Sequence, residues 1–450
     1  MVNKILIANR GEIAVRIIRA CRELGIRTVA VFSQADRGAL HAEIADEAVC
    51  IGPAASKDSY LNIKSILAAC ELTGAQAIHP GFGFLSENAS FAHMCSRCNV
   101  IFIGPDAKSI ELMGDKAQAK DTMKKVGVPV IPGSDGIIAS TKEALDIAKK
   151  IGYPLMVKAT AGGGGRGIRL VRTPEELQSA VTAAKTEAGA FFGNDGVYIE
   201  KFIENPHHIE FQIIADNFGN TVYLGERDCS LQRRNQKVLE EAPSCFINQK
   251  QRETMGRAAV RAAKACGYKN AGTVEFLVDE NRDFYFMEMN TRIQVEHPIT
   301  ELVTGIDLVK QQILIAVGER LPFRQEDIII KGHAIECRIN AENPKLDFRP
   351  SPGRILSLHM PGGPGIRIDS AAYSGYVITP FYDSMIAKLI AFAPTRDEAI
   401  KKMRWALAEF LIEGVDTNID YQLEILKDSD FCNANYDVGF LARKDFAQKL

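Results

Sequence analysis

The chain has 450 residues, of which 46% are hydrophobic and 24% charged, and its formal net charge is −2. A chain of this length predicts about three domains, and the composition is typical of a soluble globular protein. The small net charge argues against a general attraction to nucleic acid or anionic membranes. No apolar run reaches the length of a membrane span, and the first residues lack the apolar core of a signal peptide. The cysteines are scattered without the spacing of a disulfide framework, so we expect a reducing, cytoplasmic location.

The N-terminal segment alternates between short apolar stretches and amphipathic ones. Ile13, Ile17 and Cys21 mark one face of the first predicted helix. Strands that alternate with helices predict an open, parallel, doubly wound sheet. The first strand–helix turn, ANRGE, has one glycine where a dinucleotide-binding fold has GxGxxG. The sequence therefore predicts an α/β, Rossmann-like domain without the dinucleotide fingerprint.

The segment KATAGGGGRGIRLV, residues 158–171, is rich in glycine. It matches GxGxxG but leads into a predicted strand rather than a helix, which excludes the dinucleotide motif. The Walker pattern fails because Ile168 and Arg169 stand where Lys and Ser or Thr are required. A glycine-rich hairpin that covers a triphosphate with backbone N–H groups is the favoured interpretation, with Lys158 beside it. The alternative is a loose surface loop.

Two apolar segments, TVEFLVD and DFYFMEMN, are separated by a short polar turn and should pair antiparallel. Glu288 and Asn290 lie two residues apart and share one face, which Glu275 can reach from the neighbouring strand. Two carboxylates and an amide oxygen suit Mg²⁺ or Mn²⁺, which share such ligands with nucleotide phosphates. A solvated acidic edge is less favoured because strands this apolar are expected to be interior.

The segment NTRIQVEHP follows directly. Arg292, Gln294 and Glu296 alternate with apolar residues, so their side chains point together if the segment is extended. A cation, an amide and a carboxylate next to metal ligands can bind a small anion and remove a proton from it. A surface salt bridge explains the same pattern equally well.

Longer stretches of the sequence resemble the biotin carboxylase family, whose members include the biotin carboxylase subunit of bacterial acetyl-CoA carboxylase. They are KILIANRGEIAVRIIRA, HPGFGFLSEN, GDK, KATAGGGGRGIR, ERDCSLQRRNQK, EEAPS, EMNTRIQVEHP and ECRINAE. The resemblance covers essentially the whole chain and implies an ATP-grasp fold, α/β in class and α+β overall. It implies a Rossmann-like domain over residues 1–113, an ATP-grasp domain over 114–330 with a lid at about 131–203, and a mixed C-terminal domain over 331–450.

The resemblance also implies the reaction, which is ATP-dependent carboxylation of biotin with bicarbonate as the first half-reaction of acetyl-CoA carboxylase in fatty acid synthesis. ATP would phosphorylate bicarbonate to carboxyphosphate, which releases CO₂ beside the ureido nitrogen of biotin. Because carboxyphosphate decomposes in water, a closing lid must exclude solvent. Conformationally flexible glycines over the γ-phosphate suit that closure.

Three alternatives remain open. The same subunit would serve equally in a pyruvate, propionyl-CoA or 2-oxoglutarate carboxylase. Another ATP-grasp ligase is less favoured because of RIQVEHP and the region of Arg338. An ATP-binding scaffold without turnover is also less favoured, because it would not require the bicarbonate pocket and the base to which Lys237, Glu296 and Arg338 belong.

The resemblance assigns roles to individual residues. Nucleotide contacts are expected from Lys116, Lys158, Gly164, Gly165, Glu200, Lys201, Phe202, Ile203, His208 and Gln232, with adenine held chiefly by backbone groups of residues 200–203. Two divalent ions, Mg²⁺ or Mn²⁺, are expected at Glu275, Glu288 and Asn290. The bicarbonate pocket is expected at Lys237, Arg292, Gln294 and the backbone of Val295. Glu296 is expected to be the general base and Arg338 to stabilise the biotin enolate, with Lys237 and Arg292 as the other catalytic residues.

Position 235 departs from the pattern, because Asn235 stands in QRRNQK where many relatives carry His. Asn donates hydrogen bonds but carries no positive charge, so we expect a somewhat altered affinity for ATP. The chain has no lysine flanked by methionines as in the AMKM motif of a biotin carrier. Biotin is therefore expected on a separate biotin carboxyl carrier protein, with carboxyltransferase subunits as further partners and a homodimer as in relatives.

Overall fold

The computed structural model describes residues 2–159, 168–192 and 196–450. The glycines expected to cover the phosphates, Gly164 and Gly165, lie outside these ranges. Every helix within the ranges is too short or too polar to cross a membrane.

The N-terminal part is a parallel sheet of five strands. The strands are β1 (Lys4–Ile7), β2 (Arg27–Phe32), β3 (Glu47–Cys50), β4 (Ala77–His79) and β5 (Ile101–Phe102), in the order β3-β2-β1-β4-β5. The helices are α1 (Gly11–Glu23), α2 (Leu40–Ile44), α3 (Ile63–Thr73), α4 (Ala89–Arg97) and α5 (Ala107–Gly114).

Alternation along β1 explains why helices cover both faces of this sheet. Ile5 packs in one hydrophobic cluster with Ile13 of α1, whereas Leu6 packs in another cluster with Ile66 of α3. Successive side chains of a strand point to opposite faces, so a strand that is apolar throughout must be covered on both. The predicted Rossmann-like α/β architecture is confirmed.

A smaller unit follows α6 (Lys116–Lys125) and has a hydrophobic cluster of its own. Its elements are α7 (Thr141–Ile151), β6 (Leu155–Ala159), β7 (Ile168–Val171), α8 (Pro174–Phe192) and β8 (Val197–Lys201). The strands form an antiparallel sheet in the order β7-β6-β8. The predicted strands on either side of the glycine segment are therefore present and paired, with Leu155 opposite Val171.

The remaining elements build one large antiparallel sheet, three two-stranded sheets and their covering helices. The central ones are β9 (His207–Ala215), β10 (Thr221–Arg233), β11 (Gln236–Ala242), α9 (Gln249–Ala265), β12 (Asn270–Val278), β13 (Phe284–Asn290), α10 (His297–Thr304) and α11 (Leu308–Ala316). The C-terminal strands are β14 (His333–Asn340), β15 (Glu342–Asn343), β16 (Arg349–Pro350), β17 (Gly353–Arg354), β18 (Ser357–His359), β19 (Ile366–Ser370), β20 (Val377–Ile378), β21 (Met385–Ala393) and β22 (Leu411–Glu413). The C-terminal helices are α12 (Arg396–Glu409), α13 (Ile419–Lys427), α14 (Ser429–Cys432) and α15 (Phe440–Arg443). The two-stranded sheets are β15-β16, β17-β20 and β18-β22.

The large sheet has eight strands in the order β13-β12-β9-β10-β11-β14-β21-β19. Its strand pairing continues from β11 into β14, where Leu239 lies opposite Cys337. The expected ATP-grasp and C-terminal parts therefore share one sheet, and side chains from both reach the same surface.

Candidate active site

A cleft of about 1150 Å³ lies between the N-terminal sheet, the smaller unit and the large sheet. It brings together most of the predicted site residues. Those that line it are Lys158, Glu200, Lys201, Phe202, Ile203, His208, Gln232, Asn235, Lys237, Glu275, Glu288, Asn290, Arg292, Gln294, Val295, Glu296 and Arg338.

One end of the cleft carries paired lysines. Glu200 of β8 accepts hydrogen bonds from Lys120 at 2.6 Å and from Lys158 at 2.7 Å. Burial would raise the pKa of Glu200, but the two lysines outweigh burial and lower it. Lys116 is exposed and does not line the cleft, although its Nζ lies 3.4 Å from Glu288 Oε2. This end offers lysine ammonium groups to an anionic ligand.

Backbone rather than side-chain contacts are available at the end of β8. The Lys201 ammonium donates to the carbonyl of Tyr153 at 2.7 Å, so this side chain is already engaged. Phe202 and Ile203 follow in a segment that is neither helix nor strand and lines the cleft. The N–H groups of Lys201 and Phe202 already donate to the carbonyls of Pro132 and Pro154, so a flat heterocycle lying against this segment would use the other main-chain groups.

The candidate metal ligands meet on adjacent strands, as the hairpin pattern predicted. Glu275 of β12 lies directly opposite Glu288 of β13. Asn290 donates from Nδ2 to Glu275 Oε1 at 2.8 Å, and its Oδ1 accepts from Arg292 Nη2 at 3.1 Å. This set of hard oxygen donors at the wall of the cleft fits Mg²⁺ or Mn²⁺.

Glu275 also contacts basic side chains. His208 Nε2 lies 3.0 Å and Lys237 Nζ 3.3 Å from its carboxylate. Burial would raise the pKa of Glu275, yet Lys237 and His208 hold it well below its usual range. Burial disfavours the charged form of His208, but Glu275 raises the pKa of this imidazole above its ordinary value. Gln232 donates to His208 Nδ1 at 2.8 Å and fixes the ring.

The other end of the cleft has a buried carboxylate between two cations. Glu296 is fully buried and accepts hydrogen bonds from Lys237 Nζ at 2.6 Å and from Arg338 Nη2 at 3.1 Å. Burial would raise its pKa, but Lys237 and Arg338 outweigh burial and hold it well below the ordinary value. The arrangement can bind a small anion with the cations and act on it with the carboxylate.

Arg338 is oriented by a second buried glutamate that the sequence did not single out. Its Nε donates to Glu240 Oε1 at 2.7 Å. Burial raises the pKa of Glu240 to about 7, against the lowering effect of Arg338. Arg338 Nη2 also contacts Glu240 Oε1, so this one nitrogen lies between the carboxylates of Glu240 and Glu296.

Arg292 and Gln294 lie together, although the segment that carries them is not a strand. Residues 291–296 form bends and a turn before α10. Arg292 donates from Nη1 to Gln294 Oε1 and from Nε to Glu87 Oε2, each at 2.8 Å. Arg292 and Gln294 are therefore in contact and line the cleft together with Glu296, whereas the extended conformation on which the prediction was conditioned does not occur.

The departure at Asn235 has a conformational explanation. Arg233 pairs with Gln236 at the ends of β10 and β11, and Arg234 and Asn235 between them have φ values of 49° and 64°. Positive φ at both central residues defines a type I′ hairpin turn, in which Asn is favoured. Asn235 also lines the cleft, so its side chain remains available to a ligand.

Glu210 belongs to the site and was missed. It is fully buried, and its two oxygens accept from Lys237 and from Arg227, each at 2.6 Å. A signal was present, because His208, Glu210 and Gln212 alternate with apolar residues along β9. Polar side chains repeated at period two in a buried strand indicate a polar site on one face.

A small hairpin unit that faces a large antiparallel sheet across an acidic and basic cleft defines the ATP-grasp class. Three family descriptions match in sequence: "Biotin carboxylase, N-terminal domain" over residues 1–110, "Carbamoyl-phosphate synthase L chain, ATP binding domain" over 115–324 and "Biotin carboxylase C-terminal domain" over 336–443. The chain belongs to the biotin carboxylase family, and the enzyme it forms is an ATP-dependent ligase that carboxylates biotin.

Individual relatives are similar over nearly their whole length. Biotin carboxylase 1 of Bacillus subtilis is 59% identical, with 99% of each chain covered. The biotin carboxylase domain dimer of 2-oxoglutarate carboxylase from Hydrogenobacter thermophilus, in complex with MgADP, ADP and bicarbonate, is 53% identical with a TM-score of 0.90, covering 99% of this chain and 98% of that one. The biotin carboxylase of Campylobacter jejuni, in a β,γ-ATP complex, is 50% identical with a TM-score of 0.92 and 99% of each chain covered.

Proposed function

We propose that the enzyme is the biotin carboxylase component of an acetyl-CoA carboxylase and acts on biotin attached to a separate carrier protein. The observation that carries this proposal is the position of Glu296 between Lys237 and Arg338 in the cleft that also holds Glu275 and Glu288. A nucleotide site and an anion site in one cleft suit phosphorylation of bicarbonate by ATP.

At the nucleotide end, Lys116 and Lys158 would bind phosphate oxygens, and the main chain at residues 200–203 would receive adenine. Glu200 forms ion pairs with Lys120 and Lys158 and so holds both ammonium groups at the cleft. A bound phosphate would compete with Glu200 for these lysines, which supports this role. His208, fixed by Gln232, would contact the nucleotide from the floor of the cleft.

Glu275, Glu288 and Asn290 would hold the two divalent ions. Bound there, Mg²⁺ or Mn²⁺ would neutralise negative charge on the phosphate oxygens. The hydrogen bonds of Asn290 and Gln294 to Glu275 Oε1, at 2.8 and 2.9 Å, orient this carboxylate before any ion binds.

At the anion end, Lys237, Arg292, Gln294 and the Val295 backbone would bind bicarbonate, and Glu296 would remove its proton. Bicarbonate oxygen then attacks the γ-phosphorus, ADP leaves, and carboxyphosphate breaks down to CO₂ and phosphate. A base whose pKa is low accepts a proton poorly. When bicarbonate takes Lys237 and biotin takes Arg338, Glu296 loses the cations that lower its pKa, so it becomes a stronger base.

Arg338 would then stabilise the enolate that forms when the ureido nitrogen of biotin loses its proton. Its guanidinium is held by Glu240 through Nε and Nη2, and Nη2 also donates to Glu296. A fixed cation aimed at developing negative charge lowers the barrier without reorganisation. The nitrogen attacks CO₂ and carboxybiotin forms.

The partners follow from this role. We propose a biotin carboxyl carrier protein and carboxyltransferase subunits as partners, with a homodimer like that of the Hydrogenobacter relative and a cytoplasmic location. The second candidate is the equivalent component of a 2-oxoglutarate or pyruvate carboxylase, supported by 53% and 55% identity to such relatives. The ATP chemistry is the same in both, and only the carrier and the final acceptor differ.

The test is ATP hydrolysis by the isolated protein, with and without bicarbonate and free biotin. ADP release that requires both substrates supports biotin carboxylation. Dependence on bicarbonate alone favours another ATP-grasp ligase, and binding without turnover favours a scaffold. Carboxylation of a purified acetyl-CoA carboxylase carrier in preference to a 2-oxoglutarate or pyruvate carboxylase carrier separates the two candidates.

A further inference from the structure

Lys388 is a fully buried lysine whose ammonium reaches the backbone of the candidate anion pocket. It lies on β21 and has no exposed surface. Its Nζ donates to the carbonyl of Val295 at 2.9 Å and lies 3.1 Å from Glu12 Oε2. Asp369 of β19 is 3.8 Å away. A buried cation with a main-chain carbonyl as its hydrogen-bond partner indicates a role at that carbonyl.

The register of two paired strands links this contact to the contact between Arg338 and Glu296 described above. Lys388 lies directly opposite Arg338 in the pairing of β14 with β21. Arg338 binds the side chain of Glu296, and Lys388 binds the carbonyl of the preceding residue, Val295. Two cations on neighbouring strands therefore hold two consecutive residues of the pocket.

The segment needs such support because it is irregular. Residues 291–296 belong to no helix or strand, so no repeating hydrogen-bond ladder sets their conformation. The backbone at Val295 connects Gln294 to Glu296, and both of these side chains line the cleft. A rotation at Val295 would turn both side chains, and small displacements of positioned groups strongly reduce rate.

We propose that Lys388 is a positioning residue that sets the backbone at Val295 and thereby the geometry of the bicarbonate pocket. This inference rests on the proposed function of residues 292–296. Glu12 of α1 extends the contact to the N-terminal sheet, so three parts of the chain meet at one ammonium.

The test compares Lys388→Met with Glu12→Gln and with the double variant. Lys388→Met removes the contact with Val295 and leaves Glu12 without its cation. Burial raises the pKa of Glu12 to about 7 against the lowering effect of Lys388, so Gln is a mild replacement near neutral pH. The double variant also removes the carboxyl group that Lys388→Met leaves unpaired, but it does not restore the carbonyl contact. Lys4→Met is the matched control, because Lys4 makes the same two kinds of contact outside the cleft. Its ammonium donates to the carbonyl of Thr73 at 2.6 Å and lies 2.8 Å from the carboxylate of Glu47.

We expect Lys388→Met and the double variant to raise the KM for bicarbonate by about tenfold or more, with the KM for ATP unchanged. Glu12→Gln and Lys4→Met should keep the wild-type KM for bicarbonate. The inference is overturned if the double variant recovers the wild-type value, if both KM values change in parallel, or if neither Lys388 variant folds. Wild-type hydrolysis that ignores bicarbonate would instead reject the proposed function itself, so the two failures are distinguishable.

Discussion

Arg338 Nη2 lies 3.1 Å from Glu296 Oε2, so the expected enolate-stabilising cation and the expected base neutralise each other within the cleft. Arg338 comes from β14, whereas Glu296 immediately precedes α10. With the roles proposed above, this contact would be exchanged for contacts with substrates during turnover, and the basicity of Glu296 would then depend on which substrates are bound.

Replacement Glu296→Gln should strongly reduce bicarbonate-dependent ATP hydrolysis. The amide retains the shape of the side chain but cannot take a proton, and a general base contributes about 10²–10⁴-fold to the rate. We expect kcat to fall within that range while ATP binding, measured by calorimetry, is retained. Glu336→Gln is the matched control, because burial raises the pKa of Glu336 well above its usual value and the neutral form resembles Gln. A near-normal kcat for Glu296→Gln would reject its role as the base.

Replacement Glu288→Gln should weaken the dependence on divalent ions. Loss of one negative oxygen ligand lowers affinity for a hard cation. We expect the Mg²⁺ or Mn²⁺ concentration for half-maximal activity to rise, and a chelator to abolish activity in the wild type. Glu280→Gln is the control on the same hairpin, since Glu280 is exposed and does not line the cleft. Equal metal dependence in both variants would argue against the assigned site.

Replacement Asn235→His tests the departure from the family pattern. His adds a ring and a protonatable nitrogen at the cleft, and a single hydrogen bond changes affinity by about two- to tenfold. We expect a change of that size in the KM for ATP. Asn235→Gly separates the two effects of this residue, because glycine preserves the positive φ of the turn but removes the side chain. An unchanged KM for ATP in Asn235→His would show that the side chain at position 235 does not contribute to ATP binding.

Acid stability should depend on Glu241, which is buried against Arg396 and His333 at 2.7 and 2.6 Å. Burial would raise the pKa of Glu241, but Arg396 and His333 hold it well below the ordinary value. A carboxyl whose folded pKa is lowered stabilises the protein above its unfolded pKa of about 4.5, and this contribution is lost as the pH falls below that value.

We therefore expect Glu241→Gln to lower the free energy of unfolding at pH 7 by about 3 kcal/mol, because breaking a buried pair leaves a buried charge. Denaturant titrations should show the difference from wild type shrinking as the pH falls below about 4.5. Glu424→Gln, which removes the surface pair with Lys427, should cost at most about 1 kcal/mol. A difference for Glu241→Gln that is independent of pH would contradict the electrostatic explanation.

Local patterns predicted the parts of the site that depend on neighbouring residues. Glu288 and Asn290 share a face because strand periodicity is local, and the short turn of the hairpin brought Glu275 opposite Glu288. Glu240 and Lys388 were not predicted. Each is a buried charge on a strand, and its partner is decided by which elements pack beside that strand.

The sequence alone was sufficient to determine the class of fold and the reaction. The features that did so are the alternating apolar segments, the glycine hairpin, the acidic strand pair and the family motifs. The meeting of Glu296 with Arg338, and of Val295 with Lys388, was decided only by the tertiary structure. These contacts require β11 to pair with β14 and β14 with β21. Pairing between strands distant in sequence follows from the packing of the whole sheet and its covering helices, which no local periodicity encodes.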